Sequence, residues 1–292
     1  MAINVAHSTV ALSETTLHVA EAGPKRAAPV VFLHGWPQDW SAWLPVITLA
    51  AQAHRCVAID LPGIGGSRVA KPRGNKFWLA PTVHELLRER DLHDVTLVGH
   101  DIGGMVAFAY LKQFSDLGHA VIMDTVLPGL APWERVLANP NIWHFAFHNV
   151  PELPEQLVSG KVKVYFDYFY EAIAVRKDAI TEEARGRYVA SYSDITALTQ
   201  GFQFYRTFRQ DALDNTRVQK PILTPTLYLR GSAESGDIED YREGLAAGGV
   251  RNLTTKLIEG AGHFAPEETP ARVWAAISAH MDASGEALTQ AT

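Results

Sequence analysis

Asp101 lies between two glycines at the end of a short apolar run. Residues 95–98 read Val-Thr-Leu-Val, and Gly99, Asp101 and Gly103 follow in the pattern Gly-x-Asp-x-Gly. Between a strand and a helix, this pattern forms a sharp turn that lifts the central side chain clear of the sheet, where it can act as a nucleophile. Aspartate is also a favoured N-cap of helices, so a capping aspartate is the alternative interpretation.

Two further segments hold the groups that a nucleophile at this position would need. His263 lies in the small-residue loop GAGHFAP, residues 260–266, after the last apolar run, and the segment HGWP, residues 34–37, follows an early run. In hydrolases whose nucleophile lies on a turn of this kind, the oxyanion is bound by one backbone N–H from an early loop and one from the residue after the nucleophile. Here these are the amides of Trp36 and Ile102. The order of the three segments predicts a hydrolase.

An aspartate nucleophile restricts the chemistry. A carboxylate that attacks a saturated carbon forms an alkyl ester, which activated water can then hydrolyse, whereas a serine would form an ether that water cannot cleave. Asp101 therefore predicts attack on an epoxide or on a carbon–halogen bond, with His263 activating water against the ester. An esterase is a weaker alternative, because aspartate attacking an ester would give an anhydride.

Short apolar runs rich in β-branched residues predict the buried strands of a mostly parallel sheet. They lie at 30–34, 56–60, 95–99, 120–124, 226–230 and 254–258. Helical patterns lie at 40–51, 83–90, 103–114 and 268–281. This alternation predicts an α/β fold with helices on both faces of the sheet.

The alternation stops in an aromatic-rich stretch at 128–215, where the spacing is helical. We expect this stretch to form a helical cap domain over the carboxyl edge of the sheet, where open α/β sheets bind ligands. Residues 1–127 and 216–292 would then form the core domain.

Composition excludes several function classes. The 292 residues carry a formal charge of −6 without a basic block, which argues against nucleic acid and anionic membranes as partners. No apolar run reaches the roughly 20 residues of a membrane helix, and the first residues lack the pattern of a signal peptide. We expect a cytoplasmic protein without cofactor or metal, whose partners are a small molecule and water. The sequence leaves open whether the chain forms a homodimer.

With these motifs the chain resembles the α/β-hydrolase superfamily over about residues 15–282, and DLPGIGGS at 60–67 is similar to a segment of that family. It most resembles the branch with an aspartate nucleophile, and within it bacterial epoxide hydrolases with a His/Tyr pair in the cap, which are related to fluoroacetate dehalogenases. The segments NIWHFAFH and FQFYRTF carry this likeness. The resemblance implies that His144 and Tyr205 bind or protonate the oxygen of the opening ring.

An acid must also orient His263. Asp124 ends the run AVIMD, and Asp237 lies in the acidic loop after the run at 226–230, with Glu234 nearby. Many members of the superfamily use the later position, whereas the enzymes that this chain most resembles place the acid after the preceding strand. We expect the acid to be Asp124, with Asp237 as the alternative.

Ile102 and Met105 bear on the substrate. Fluoroacetate dehalogenases carry arginines one and four residues after the nucleophile, where this chain has Ile102 and Met105. A carboxylate without a cation is costly in an apolar pocket, so the substrate is expected to be neutral. The sequence thus predicts an epoxide hydrolase that opens a neutral epoxide to a vicinal diol. The alternatives are a dehalogenase for a neutral halide and a non-catalytic binding member of the fold.

Overall fold

Nine strands form one sheet within the part of the chain that the structure describes. The computed structural model describes residues 3–289, and the side chains of residues 3–283. The strands are β1 (Ala6–Ala11), β2 (Thr15–Ala22), β3 (Pro29–Leu33), β4 (Arg55–Ile59), β5 (Arg68–Val69), β6 (Val95–His100), β7 (Leu117–Met123), β8 (Thr226–Gly231) and β9 (Leu253–Ile258).

The sheet is parallel except at one edge. Its order is β1-β2-β4-β3-β6-β7-β8-β9, with β5 beside β2. The strands from β4 to β9 along this order run parallel, and β1, β2 and β5 are antiparallel. The six predicted apolar runs are the six parallel strands, so the predicted α/β fold is confirmed. The sequence did not predict β1 and β2, because β1 is mostly exposed and burial along β2 is uneven.

Thirteen helices occur among the described residues. They are α1 (Leu44–Ala50), α2 (Lys76–Glu89), α3 (Ile102–Gln113), α4 (Trp133–Leu137), α5 (Trp143–Asn149), α6 (Leu153–Val158), α7 (Val162–Ile173), α8 (Glu182–Tyr192), α9 (Ile195–Arg206), α10 (Phe208–Arg217), α11 (Ile238–Ala247), α12 (Ala265–Glu268) and α13 (Pro270–Thr289). The four predicted helical patterns correspond to α1, α2, α3 and α13.

Alternate residues of the parallel strands enter two separate cores. Val31 and Leu33 of β3 belong to the core under α2 and α3, whereas Val30 and Phe32 belong to the core under α1 and α13. Successive side chains of a strand point to opposite faces, so a strand covered on both sides needs a continuous apolar run. The burial of both faces explains why the parallel strands other than β9 could be recognised in the sequence, since β9 lies at the edge of the sheet and is mostly exposed.

Seven helices, α4 to α10, lie between β7 and β8, in the stretch predicted to be a helical cap. We refer to them as the inserted helices. In α7, Val162, Phe166, Phe169 and Tyr170 are buried and Val164 is exposed, which is the spacing of an amphipathic helix. None of the helices that the structure describes is both long and apolar enough to span a bilayer.

A buried ion pair fastens the inserted helices to α2. The ammonium of Lys76 lies 3.0 Å from Asp211 of α10, and both side chains are buried. The same ammonium donates to the carbonyl of Phe204, near the end of α9. Asp211 also accepts the backbone N–H of Lys76 at 2.9 Å. The pair therefore fixes the turn between α9 and α10, next to the predicted site residue Tyr205.

We predict that Asp211→Ala lowers the free energy of unfolding by about 3–5 kcal/mol, because removing one partner leaves the other charge buried without compensation. Urea unfolding followed by circular dichroism measures the change. Glu182→Ala is the control: it removes a carboxylate 3.2 Å from the exposed Lys163, and exposed ion pairs contribute little. Equal stability of the two variants would contradict a fastening role for the buried pair.

Candidate active site

Asp101 lies at a sharp turn between β6 and α3. Its backbone has φ 49° and ψ −118°, a conformation that non-glycine residues adopt rarely and at a cost in strain. Gly99 and Gly103 meet inside the turn: a Cβ on Gly99 would lie 2.2 Å from the carbonyl oxygen of Gly103. Only glycines fit this crossing of strand and helix, and the turn leaves Asp101 at the carboxyl edge of the sheet.

The Asp101 side chain does not cap α3. Its Oδ2 accepts the backbone N–H of Trp36 at 2.8 Å, and the N–H of Ile102 also hydrogen-bonds to the carboxylate. Asp101 is therefore the N-cap residue of α3 by position, but its side chain makes no capping hydrogen bond. Burial raises the pKa of Asp101, while the charge of His263 and the two N–H groups act in the opposite direction. The carboxylate thus lies between the two amides that the sequence suggested for an oxyanion.

The loop that contributes Trp36 is held from both sides. A Cβ on Gly35 would lie 2.6 Å from the Cβ of Asp101, so this glycine is required for close approach. From the inserted helices, the hydroxyl of Tyr170 donates to Pro37 O at 2.8 Å and that of Tyr192 to Gln38 O at 2.9 Å. The N–H of Trp36 is therefore fixed by the core and by the inserted helices together.

His263 follows β9 and lies beside a glutamate. Its Nδ1 is 3.2 Å from Oε1 of Glu234, in the loop after β8. Burial acts to lower the pKa of His263, but the hydrogen bond and charge of Glu234, together with the charges of Asp101 and Asp124, raise it to about 9. Nε2 of His100 donates to the carbonyl oxygen of His263 at 2.7 Å. Burial lowers the pKa of His100 to about 3, so it acts there as a neutral donor.

The acid that contacts His263 is not the one expected from the sequence. Asp124 accepts the N–H of Gly231 at 2.7 Å through Oδ1, and its Oδ2 is buried without a partner within the described residues. Burial and the charge of Glu234 raise the pKa of Asp124 well above its usual value. The other candidate, Asp237, is exposed and caps α11 by accepting the N–H of Glu239.

Glu234 is held beside Nδ1 of His263 by its ion pair with Arg230. Its Oε2 lies 2.9 Å from the Arg230 guanidinium, which leaves Oε1 for His263. Although burial acts to raise the pKa of Glu234, the hydrogen bond and charge of His263 and the charge of Arg230 lower it. The signal in the sequence was a carboxylate close after the run at 226–230 and four residues after an arginine. From the sequence alone, Glu234 stands out only as a neighbour of Asp237.

His144 of α5 and Tyr205 of α9 lie near each other, beside the Trp36 ring. Their ring centroids are 5.8 Å apart, and each also packs against Trp36. Burial and the charge of His263 lower the pKa of His144 to about 3. Burial and the charge of Asp101 raise the pKa of Tyr205 well above its usual value. Both side chains are therefore neutral hydrogen-bond donors at neutral pH.

One cavity of about 920 Å³ brings these side chains together. Its lining includes Trp36, Asp101, Asp124, His144, Tyr205, Glu234 and His263. Met105 also lines it, whereas Ile102 is fully buried. Both arginines in the lining are paired, Arg135 with Asp240 at 2.8 Å and Arg230 with Glu234 at 2.9 Å. The residues described contain no cluster of three or more side chains suited to bind a metal ion.

The chain is similar to known hydrolases in sequence and in fold. The model of the alpha/beta hydrolase family matches residues 30–276. The soluble epoxide hydrolase of Corynebacterium sp. (strain C12) is 29% identical over 277 residues, which cover 92% of this chain and 95% of the relative. The structure of the epoxide hydrolase CorEH without ligand has a TM-score of 0.84 at 29% identity and covers 94% of this chain and 97% of CorEH.

The structure of Cfl2 from Burkholderia cenocepacia is similar to the same extent. It has a TM-score of 0.85 at 27% identity, over 94% of this chain and 95% of Cfl2. The match to the family model covers most of the sequence, and the structural likeness extends over nearly all of both chains. The chain therefore belongs to the alpha/beta hydrolase family and is a hydrolase.

Proposed function

We propose that this hydrolase opens a neutral epoxide to a vicinal diol through a covalent ester on Asp101. The observation that carries the proposal is the carboxylate of Asp101, which accepts the N–H of Trp36 and faces the cavity that His144, Tyr205 and His263 also line. The name of the Corynebacterium relative, a soluble epoxide hydrolase, supports the same reaction.

In the first step, Oδ1 of Asp101 attacks one carbon of the epoxide ring. A carbon–oxygen bond forms to Asp101 as the ring bond to the same carbon breaks, and the ring oxygen takes a proton from Tyr205 while His144 donates a hydrogen bond to it. Oδ2 stays with the Trp36 N–H and becomes the carbonyl oxygen of the ester. Burial supports this step, since a carboxylate that is already desolvated gives up little hydration when it attacks.

In the second step, His263 removes a proton from water, and the hydroxide attacks the ester carbonyl carbon of Asp101. The N–H groups of Trp36 and Ile102 bind the oxyanion that forms. Its collapse breaks the bond between the ester carbonyl carbon and the diol oxygen. The carboxylic proton passes to the diol oxygen, and His263 returns its own proton to Tyr205. The sum is one epoxide and one water converted to one diol.

Formation of the ester prepares His263 for its role as a base. In the free enzyme, the carboxylate of Asp101 is one of the charges that raise the pKa of His263 to about 9. Esterification removes that charge, so the pKa of His263 falls and more of the imidazole becomes neutral. Glu234 keeps its contact with Nδ1 and stabilises the imidazolium that forms when water is deprotonated.

The walls of the cavity favour an uncharged substrate. Met105 lies where a fluoroacetate dehalogenase would carry an arginine, and the two arginines of the lining are already paired with carboxylates. A substrate carboxylate would therefore lie near several acidic side chains without a free cation.

We predict that His263→Ala accumulates the ester. Incubated with a mixture of small epoxides and alkyl halides, it should gain the whole mass of one epoxide, and peptide mapping should locate the adduct at Asp101. The variant Asp101→Ala serves as the control: it should form no adduct and lose about 10⁴-fold or more in turnover. A gain equal to a halide minus its hydrogen halide would instead identify a dehalogenase. The absence of any adduct would favour a binding protein.

We predict that Tyr205→Phe slows formation of the ester by about 10²–10³-fold, the usual loss for one donor to a developing oxyanion, while hydrolysis of the ester changes little. Rapid-quench kinetics with an epoxide separates the two steps. Tyr110→Phe is the matched control, because Tyr110 is buried beside Asp116 at 2.9 Å and should leave both steps unchanged. Slower ester hydrolysis with unchanged ester formation would contradict the role of Tyr205 in ring opening.

We predict that the rate of ester hydrolysis rises with pH as His263 loses its proton. Because the hydrogen bond and charge of Glu234 raise the pKa of His263, Glu234→Gln should move this rise to lower pH and lower its plateau. Asp237→Asn should leave the profile unchanged, since its side chain is exposed on α11. A shift in Asp124→Asn together with none in Glu234→Gln would make Asp124 the acid.

A further inference from the structure

Glu268 is a fully buried carboxyl group that the proposed reaction does not use. It lies at the end of α12, five residues after His263. On one side, its Oε1 accepts the N–H of Phe264 at 3.0 Å and its Oε2 that of Gly262 at 3.1 Å. It therefore bonds to the backbone on both sides of the catalytic histidine.

The same carboxyl group also bonds to the inserted helices. Its Oε2 accepts the N–H groups of Val175 and Arg176, both at 2.9 Å, in the segment that follows α7. The Arg176 guanidinium donates in addition to the backbone carbonyl of Glu268 at 2.9 Å. One buried side chain thus satisfies four backbone N–H groups from two segments that are about 90 residues apart in the sequence.

The His263 loop and the segment after α7 are in close backbone contact. The N–H of His263 faces the carbonyl of Ile173 at 3.3 Å. A Cβ on Gly262 would lie 2.5 Å from that carbonyl oxygen and 3.1 Å from the nitrogen of Val175. Ile173 and Val175 line the cavity, so the wall that a substrate touches and the loop of the base share one set of contacts.

We propose that Glu268 is a positioning residue for this reaction: it ties the His263 loop to the cavity wall at 173–176, and so keeps the imidazole directed at Glu234. The inference rests on the proposed function for the role of His263 as a base. Glu268 itself is bonded to backbone groups and acts only through His263.

The orientation of His263 can be read without any substrate. The ionisable groups that interact with it are Glu234, Asp101, Asp124, His100 and His144. Its contact with Glu234 depends on where the loop lies. In Glu268→Gln an amide replaces a carboxylate oxygen among four N–H donors, so the loop loses at least one of these bonds. The His263 titration midpoint, followed by NMR of the imidazole, should fall by about one unit or more relative to the wild type, since a weaker contact with Glu234 raises the pKa of His263 less.

The kinetic measurement compares the rate of ester formation with the rate of ester hydrolysis. In Glu268→Gln, ester hydrolysis should slow by about 10²-fold, the usual effect of misplacing a catalytic group by about 1 Å, and ester formation should change by less than about threefold. Asn215→Ala is the control for a general loss of contacts with the inserted helices. It removes a buried hydrogen bond of 2.9 Å to the carbonyl of Pro128, and should leave the His263 titration and the step ratio as in the wild type.

Two further variants test the same contacts while keeping the Glu268 side chain. Gly262→Ala forces the two segments apart and keeps Glu268, and Arg176→Ala removes only the guanidinium bond to its carbonyl. Both should shift the His263 titration in the same direction as Glu268→Gln, with the smaller shift in Arg176→Ala. A wild-type titration midpoint and step ratio in folded Glu268→Gln and Gly262→Ala would overturn the proposal. If no epoxide reacts, the proposed function fails, and the NMR titration still decides whether Glu268 positions His263.

Discussion

The structure depends on keeping a carboxylate charged while it is buried. Asp101 loses the hydration that an exposed carboxylate would have, and burial raises its pKa accordingly. Two backbone N–H groups replace part of that hydration, and both require the chain to pass unusually close to the side chain. Gly35, Gly99 and Gly103 allow this approach, because a Cβ at any of them would overlap neighbouring atoms. The strained turn at Asp101 is the cost of directing the carboxylate to the cavity rather than to the helix.

The carboxyl groups around Asp101 outnumber the positive charges of the site. The buried carboxyl groups of Asp101 and Asp124 and the partly buried one of Glu234 share the positive charges of His263 and Arg230. Groups this close cannot all ionise in a medium of low polarity, so their pKa values move apart. Glu234 remains ionised because it contacts both cations directly. Asp124 contacts neither, and its pKa rises. The pairing of His263 with Glu234 and the raised pKa of Asp124 are therefore two aspects of one arrangement.

The sequence contains a clear signal for some of these features and none for others. Five of the six parallel strands were predictable because burial on both faces demands continuous apolar runs, whereas the edge strand β9 is mostly exposed. The turn at Asp101 was predictable because its glycines are sterically required. The antiparallel strands β1 and β2 lack such runs. The sequence predicted Asp124 as the partner of His263, with Asp237 as the alternative, whereas Glu234 contacts it. Asp124 and Glu234 both follow strands of the sheet, so the sequence pattern does not distinguish them. The choice between them depends on how the loop after β8 places Arg230 against Glu234, and this is a tertiary contact.

Glu268 was not predicted for a similar reason. Its role comes from four backbone N–H groups, and backbone groups carry no residue-specific signal. The inserted helices nevertheless contribute to the machinery on both sides of Asp101. Tyr170 and Tyr192 hold the loop that binds the carboxylate, and residues 173–176 hold the loop of the base. A rigid closure of all these helices would move both loops. Substitutions along this fastened edge should therefore displace Trp36 and His263 and alter the proposed reaction, as well as the shape of the cavity.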